Sequence, residues 1–460
     1  MARVQVNDLV VVVPGIMGSR LADRDGKPVW NLSGPAALRG LRAFAGLAPR
    51  LSVGPDGEDG GVRAVGLMRD LHVLPGVWTP VDGYDGLTTW LQQKFTLTAR
   101  TAGLPAGLPV NLVEFAYDWR LSCRVNSARL ATRVARELEL WRGSAPERRE
   151  ARVVFVCHSM GGLIARHYVA HRGGWEVTRR LITLGTPHRG SLDALLRLVN
   201  GLAKPWLPSA LSLTAFARSL PSLHELLPGY ACLPGPDGTL LRPEEVTGLP
   251  GVDLELLAAA GLLHREIAAG GPAELIPFTG VRQPTPTTAE WDGERLVPLL
   301  TIGGQDEGGD GTVPRLAGTP VEFPDALVRT PREKHGSLQN HRSVRDELWG
   351  LLGPERPTHR GEHGDVELAV SAPDLVDPGE PYPVTVSTGR DDLAVTVTLT
   401  AVGGGAAVRR TMGNRGGGRY GTVFERPAPG AYRAVAAAEG YTDSAVTSLV
   451  LVGGEADGDA

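Results

Sequence analysis

Lysine is almost missing from these 460 residues. It stands only at positions 27, 94, 204 and 334, so arginine supplies nearly all of the positive charge. The net charge of −4 gives no strong field that would draw in nucleic acid, and no nucleic-acid partner is expected. Cysteine is scarce as well: Cys123, Cys157 and Cys232 are an odd, widely spaced set that makes no disulfide framework. Reduced thiols and a cytoplasmic setting are the expectation. No run approaches the ~20 apolar residues of a membrane-spanning helix. The first apolar run, Leu9 to Val13, is too short to span and lacks the length and cleavage site of a secretory signal; Pro14-Gly15 ends it as a strand is ended.

At this length two or three domains are expected. Up to about position 352, short β-branched runs alternate with helical patterns. Leu9–Val13 and Arg152–Val156 read as strands covered on both faces, and Leu181–Leu184, Leu296–Ile302 and Ala326–Thr330 as further strands. Leu130, Val134, Leu138 and Trp141 recur at helical spacing, Met160–Arg172 reads as a helix, and another is expected over Leu338–Leu352. This alternation predicts an α/β fold with a mostly parallel sheet over residues 1–352. Residues 191–295 carry helical patterns and few strand signals, which suggests a cap or lid. A second cover is expected at 35–80, rich in Gly, Arg and Pro, with irregular structure. Residues 353–364 read as a linker. Beyond it, Val395, Val397 and Leu399 alternate with threonines, and four similar runs follow or precede at short spacing. Residues 365–455 therefore predict an Ig-like β-sandwich, with a disordered tail at 456–460.

The segment VVFVCHSMGG places Ser159 between a buried strand and a helix, the setting of a nucleophile elbow. The bland alternative is a Ser-Gly turn in an inert sheet. Gly161 and Gly162 allow close approach on one side; on the other, Cys157 stands where the elbow pattern has glycine. A serine hydroxyl needs a base. Carboxylate and histidine should follow in that order, after strands. Asp310, in GDGTV, is preferred to Asp306 because its flanking glycines let it turn inward. His335, in a loop, is preferred to His341, which is placed inside the helix. His158 is expected to point away from Ser159. The oxyanion donors are the backbone N–H groups of Met160, after the nucleophile, and Ile16, in the loop after the first strand. His188, Asp118 and Trp119 are candidates for the rim of the site.

PGIMGS after the first strand, FAYDWR at 115–120, CHSMGG, GDGTVP and the late His335 together resemble the lecithin:cholesterol acyltransferase family, which includes lysosomal phospholipase A2 and phospholipid:diacylglycerol acyltransferases. The likeness spans about residues 8–352, and the shorter stretches LPGVWTPVDGYDGL and ARSLPSLHELLP are similar to bacterial members. The resemblance implies an α/β-hydrolase fold with cap and lid, Ser159, Asp310 and His335 as the triad, Ile16 and Met160 as oxyanion donors, and acyl-ester chemistry on phospholipids or neutral lipids. The β-sandwich has no counterpart in that pattern.

The chemistry so implied is a serine hydrolase of lipase or phospholipase A type, with transfer of the acyl group to an alcohol as a variant, and needs no metal or organic cofactor. Its partners are a lipid ester and, transiently, a membrane surface reached from the soluble phase; the sandwich is a candidate dock for another protein or domain. Two other readings stay open on sequence: an esterase, thioesterase or peptidase on the same fold, and a non-catalytic interaction protein whose sandwich is the working part.

Overall fold

The computed structural model describes residues 3–31, 51, 53, 60–72, 79–100, 105, 107–201, 210–269, 273–324, 327–353, 366–441 and 444–454. The central sheet is wholly parallel. Its strands are β1 (Leu9–Val13), β2 (Leu112–Glu114), β3 (Val153–His158), β4 (Thr178–Leu184) and β5 (Glu274–Phe278), in the order β5-β4-β3-β1-β2. Alternate residues of these strands feed opposite cores, as the period of two requires. Val11, Val13, Phe155 and Cys157 join one core with α2 (Cys123–Gly143) and α3 (Met160–His171). Val10, Val12, Val154 and Val156 join the other, with α1 (Asp85–Lys94) and α5 (Arg342–Leu352). Each such valine, buried from water, contributes roughly 1.5–3 kcal/mol. This is the α/β-hydrolase fold: a doubly covered sheet whose strand-to-helix turn after β3 carries Ser159.

The structure corrects several expectations. Leu296–Leu299 is not a strand of the central sheet. It pairs antiparallel with Thr288–Trp291 in a separate hairpin, and Thr301–Ile302 pairs with Gln305–Asp306. The sheet strand before Asp310 is β5, which lies inside the stretch expected to be a helical cap. Helix α4 (Leu254–Ala268), capped by the Asp253 carboxylate on the Glu255 and Leu256 amides, packs against α3 and so covers the sheet as well. What departs from the layered core is therefore less than 191–295. It includes the helices Leu192–Asn200 and Ala210–Arg218 and a short hairpin at 233–241. Of the strand expected at 326–330, residue 326 lies outside the described residues, and Arg329 makes a single parallel bridge to Phe278. Within the region expected to be irregular, Arg63–Leu67 is a strand paired with Ser19–Ala22; backbone pairing, not side-chain periodicity, holds it. The segment after Lys334 is a 3₁₀ turn over His335–Asn340, and His341 is the residue before α5, not one within it. Of the linker expected at 353–364, Gly353 caps α5, and 354–364 lie outside the described residues, as does the tail at 456–460.

After residue 365 the chain forms two sheets, one of strands 369–371, 382–387, 419–424 and 413–416, the other of 375–376, 446–452, 430–438, 395–401 and 408–411. Val384, Val386, Tyr420, Val397, Ala436 and Val450 fill the space between them. Leu449 and Leu451 do not face that space: they join the core of the hydrolase layer, so the sandwich is packed onto it through apolar side chains.

Candidate active site

Ser159 closes the turn between β3 and α3 with φ 52° and ψ −128°, a conformation that costs about 1–3 kcal/mol in a non-glycine residue. The turn is held from three sides. The Ser159 amide donates to the Leu184 carbonyl at 2.9 Å, and its own carbonyl accepts from the Gly162 amide at 3.0 Å and the Thr186 hydroxyl at 2.8 Å. Close approach makes Gly161 necessary, since a Cβ there would meet the Pro14 carbonyl oxygen at 2.4 Å. Cys157 is fully buried on the opposite flank, where it packs as a small residue in the turn, and burial pushes its thiol pKa well up.

His335 and Asp310 meet this serine. The Ser159 hydroxyl lies 2.9 Å from His335 Nε2, and His335 Nδ1–H donates to Asp310 Oδ2 at 2.8 Å. The other carboxylate oxygen, Oδ1, accepts from the amides of Thr312 and Val313 at 3.0 and 2.7 Å, and the His335 amide donates to the Asp310 carbonyl at 2.8 Å. Asp306, by contrast, is exposed and accepts from the Gly308 amide. Room for the pair comes from Gly185, at φ +59°. A Cβ there would lie 2.9 Å from Asp310 Oδ2 and 3.1 Å from His335 Nδ1. All three side chains are almost wholly buried.

The loop after β1 abuts the serine: a Cβ on Gly15 would stand 3.0 Å from Ser159 Cβ. The amides of Ile16 and Met160 have no hydrogen-bond partner among the described residues, which leaves both able to donate to a bound oxygen. This loop is where the FAYDWR segment acts. The Tyr117 hydroxyl donates to the Pro14 carbonyl at 2.9 Å, and the Tyr117 amide donates to Ser19 Oγ at 3.0 Å. Asp118 and Arg120 form a fully buried ion pair, with Nε and Nη2 on the two carboxylate oxygens at 2.9 and 2.7 Å. Trp119 packs edge-on against Trp30 and Phe216.

Three rim expectations therefore need correction. Asp118 and Trp119 are buried bracing, not rim. His188 is buried too: Arg166 donates to its Nδ1 at 3.1 Å, and its Nε2–H donates to Thr183 Oγ1 at 3.2 Å. Burial, with the Arg166 charge, holds its pKa well below the usual histidine range, so it is a neutral packing residue. GTPHRGS is nonetheless part of the site, through Gly185 and Thr186.

Sequence reasoning missed His158. It does turn away from the Ser159 hydroxyl, but it joins two halves of the site. The Gly15 amide donates to the Tyr84 hydroxyl at 2.7 Å. Having accepted there, that hydroxyl donates to His158 Nδ1 at 2.9 Å. His158 must then carry its proton on Nε2, which donates to the His335 carbonyl at 2.9 Å. Burial, reinforced by neighbouring histidines, pulls the His158 pKa well down, in keeping with one fixed neutral tautomer. The loop after β1 and the backbone of His335 are thus tied by a buried chain of three hydrogen bonds. No local motif announces it, because Tyr84 lies far from both in sequence.

Among the described residues no cluster of His, Cys, Asp or Glu has the arrangement of a metal site, and no helix is long and apolar enough to cross a membrane.

The sequence model described as lecithin:cholesterol acyltransferase matches residues 107–239, which hold FAYDWR, the Ser159 turn and GTPHRGS. Over that segment the chain is similar to the lecithin:cholesterol acyltransferase family. No curated protein matches it significantly. Among solved structures, a Bacillus licheniformis lipase in its propeptide form aligns with 96% of this chain and 73% of its own, at 13% identity and a TM-score of 0.33. The CARDB domain of a Pyrococcus furiosus protein aligns with 20% of this chain and 94% of its own, at 16% identity and a TM-score of 0.15. At such TM-scores neither adds to the fold described above.

Proposed function

We propose that this protein is a serine-dependent acyl-ester hydrolase acting on lipids, of lipase or phospholipase A type, working through an acyl-enzyme on Ser159. The observation that carries the reading is the unbroken line Ser159 Oγ, His335 Nε2, His335 Nδ1 and Asp310 Oδ2, with contacts of 2.9 and 2.8 Å. Its lipid character rests on the family match over 107–239.

In this reading the Ser159 oxygen bonds to the ester carbonyl carbon as its proton passes to His335 Nε2. Asp310 fixes the imidazole tautomer and stabilises the imidazolium. The amides of Ile16 and Met160 take the negative charge that develops on the carbonyl oxygen; a single donor of this kind is typically worth ~10²–10³ in rate. Collapse breaks the carbon–oxygen bond to the leaving alcohol, which receives the proton from Nε2. Water then attacks the acyl-enzyme with His335 again as base, and its collapse returns Ser159 and releases the acid. An alcohol in place of water gives acyl transfer by the same steps.

Turnover of palmitoyl and butyryl esters of one alcohol tests the substrate class. Preference for the palmitoyl ester supports the lipid reading, and preference for the butyryl ester turns it to a small-ester esterase. Ser159→Ala should lower either turnover by on the order of 10⁴ or more.

A further inference from the structure

His335 is reached by the chain through Pro331 to Lys334, which is held on the hydrolase side by the Val281 amide on the Pro331 carbonyl at 3.0 Å and, from Glu333 onward, by the sandwich. Glu333 is 1% exposed. Its Oε1 accepts from the Lys334 amide at 2.7 Å and from the Thr447 amide at 2.8 Å. Thr447 belongs to the strand Val446–Val452, where it faces Val435 in the neighbouring strand. Its N–H nonetheless points outward, across the domain junction, to Glu333. The next residue, Ser448, accepts from Lys334 Nζ at 3.1 Å, and a Cβ on Gly336 would lie 3.1 Å from Leu449 Cδ1. Three successive residues of one sandwich strand thus touch the three residues around His335. On the far side of the same turn, the Asp82 amide donates to the Gly336 carbonyl at 2.8 Å. A cavity of about 320 Å³ lies at this junction, lined by Asp310, Thr312, Lys334, His335, Asp374 and Ser448.

Further groups hold the junction elsewhere. Glu367, in the sandwich, pairs with Arg282 and Arg332, each at 2.9 Å. Gln283 donates to the Leu368 carbonyl at 3.0 Å and accepts from the Val370 amide at 3.0 Å. The Arg282 pair touches only the loop after β5, whereas the Glu333 contact lies two residues from the histidine.

We infer that the C-terminal β-sandwich is a working part of the active site, with Glu333 as a positioning residue that clamps the His335 segment to the Val446–Val452 strand and so sets the distance between His335 Nε2 and Ser159 Oγ. The physical reason is leverage. Glu333 is two residues from His335, so a shift of its backbone is passed to the imidazole, and a misplacement near 1 Å can cost about a hundredfold in rate. The carboxylate oxygen is the only acceptor among the described residues for the Thr447 amide, so losing it both frees the turn and leaves a buried donor unpaired. Burial raises the Glu333 pKa to about 8, so near neutral pH the side chain is largely a neutral acid whose carbonyl oxygen does the accepting. Glutamine keeps such an oxygen in the same place.

This inference rests on the proposed role of Ser159, and the test separates the two. The full-length protein and its Glu333→Ala, Glu333→Gln and Arg282→Ala variants are compared for the rate of covalent labelling by a fluorophosphonate, for kcat and KM on one ester, and for thermal midpoint. The expected result is labelling and kcat lowered about ten- to a hundredfold in Glu333→Ala with KM little changed, and near wild-type values in Glu333→Gln. Arg282→Ala, which removes an ion pair to Glu367 away from the approach through Pro331 to Lys334, should keep wild-type labelling. Equal labelling of wild type and Glu333→Ala overturns the inference while leaving Ser159 as nucleophile. An equal loss in Arg282→Ala, or no rescue by glutamine, also overturns it, because docking in general would then be at work. A wild type that takes no label overturns the role of Ser159 and this inference with it. Should Glu333→Ala fail to fold, Ser448→Ala, which removes the Lys334 acceptor from the same strand, takes its place, and unchanged labelling there overturns the clamp.

Discussion

Tyr84→Phe removes one oxygen from the centre of the site and little else. In the wild type that oxygen accepts from the Gly15 amide at 2.7 Å and donates to His158 Nδ1 at 2.9 Å. Tyr84 is 1% exposed, so neither partner has ready access to bulk water once the hydroxyl is gone. A buried polar group left unpaired costs about 1–3 kcal/mol, so two of them should cost about 2–6 kcal/mol. Urea denaturation of the two proteins, with slopes compared to confirm that compactness is unchanged, measures this. His158→Ala supplies the control. Once Nδ1 is absent, part of the Tyr84→Phe cost has already been incurred, so the two changes should be non-additive by about 1–3 kcal/mol. Fluorophosphonate labelling should also slow in Tyr84→Phe, since the Gly15 amide steadies the loop that carries Ile16. A stability loss below about 0.5 kcal/mol, or strict additivity with His158→Ala, would refute the hydrogen-bond chain as drawn.

Other consequences are open to measurement. Gly185→Ala places a methyl against both Asp310 and His335 at a positive φ; activity should fall by about a hundredfold, with about 1–3 kcal/mol of overpacking cost, and unchanged kcat would contradict the packing. Asp118→Asn keeps the side-chain shape but removes the counter-charge of buried Arg120, whose Nη1 still donates to the Leu51 carbonyl, so unfolding should become easier by about 3–5 kcal/mol, and a change under 1 kcal/mol would mean the pair contributes little. Glu333 has its folded pKa raised from 4.5 to about 8, so its contribution to stability is fully present below pH 4.5 and is lost as pH rises towards 8. Lys334, pushed down to about 8, stays mostly charged below about pH 7, and it and His341, whose Nε2 lies 3.6 Å from Glu333 Oε2, are present in both proteins compared. The stability of wild type relative to Glu333→Gln should therefore fall by on the order of a few kcal/mol between about pH 5 and 7.5, and a flat difference would show Glu333 to be ionised at both ends.

How far the sequence carried the site depends on where each signal lay. Ser159 was legible because a buried strand run, a tight turn and a helix are contiguous, and chain order then pointed to Asp310 and His335. β5 was not legible. Its sequence ELIPF opens on a charge and holds a proline, which a strand tolerates only where a ladder donor is dispensable, and β5 borders the sheet with a lone bridge beyond it at Arg329. Leu296–Ile302 gave the louder apolar signal, yet it serves a hairpin outside the sheet. His188 stood in a suggestive motif but spends both nitrogens on Arg166 and Thr183. His158 and Glu333, which the structure puts beside His335, owe their places to Tyr84 and Thr447; pairings over such separations leave no periodicity to read.

In the proposed reaction Ser159 carries the acyl group. Intact-mass analysis of the protein quenched during turnover of a palmitoyl ester, followed by peptide mapping, tests it most directly. An added palmitoyl mass is expected on the peptide containing Ser159, absent in Ser159→Ala together with turnover. Ester hydrolysis that persists in Ser159→Ala, or an acyl mass on any other residue, would contradict it.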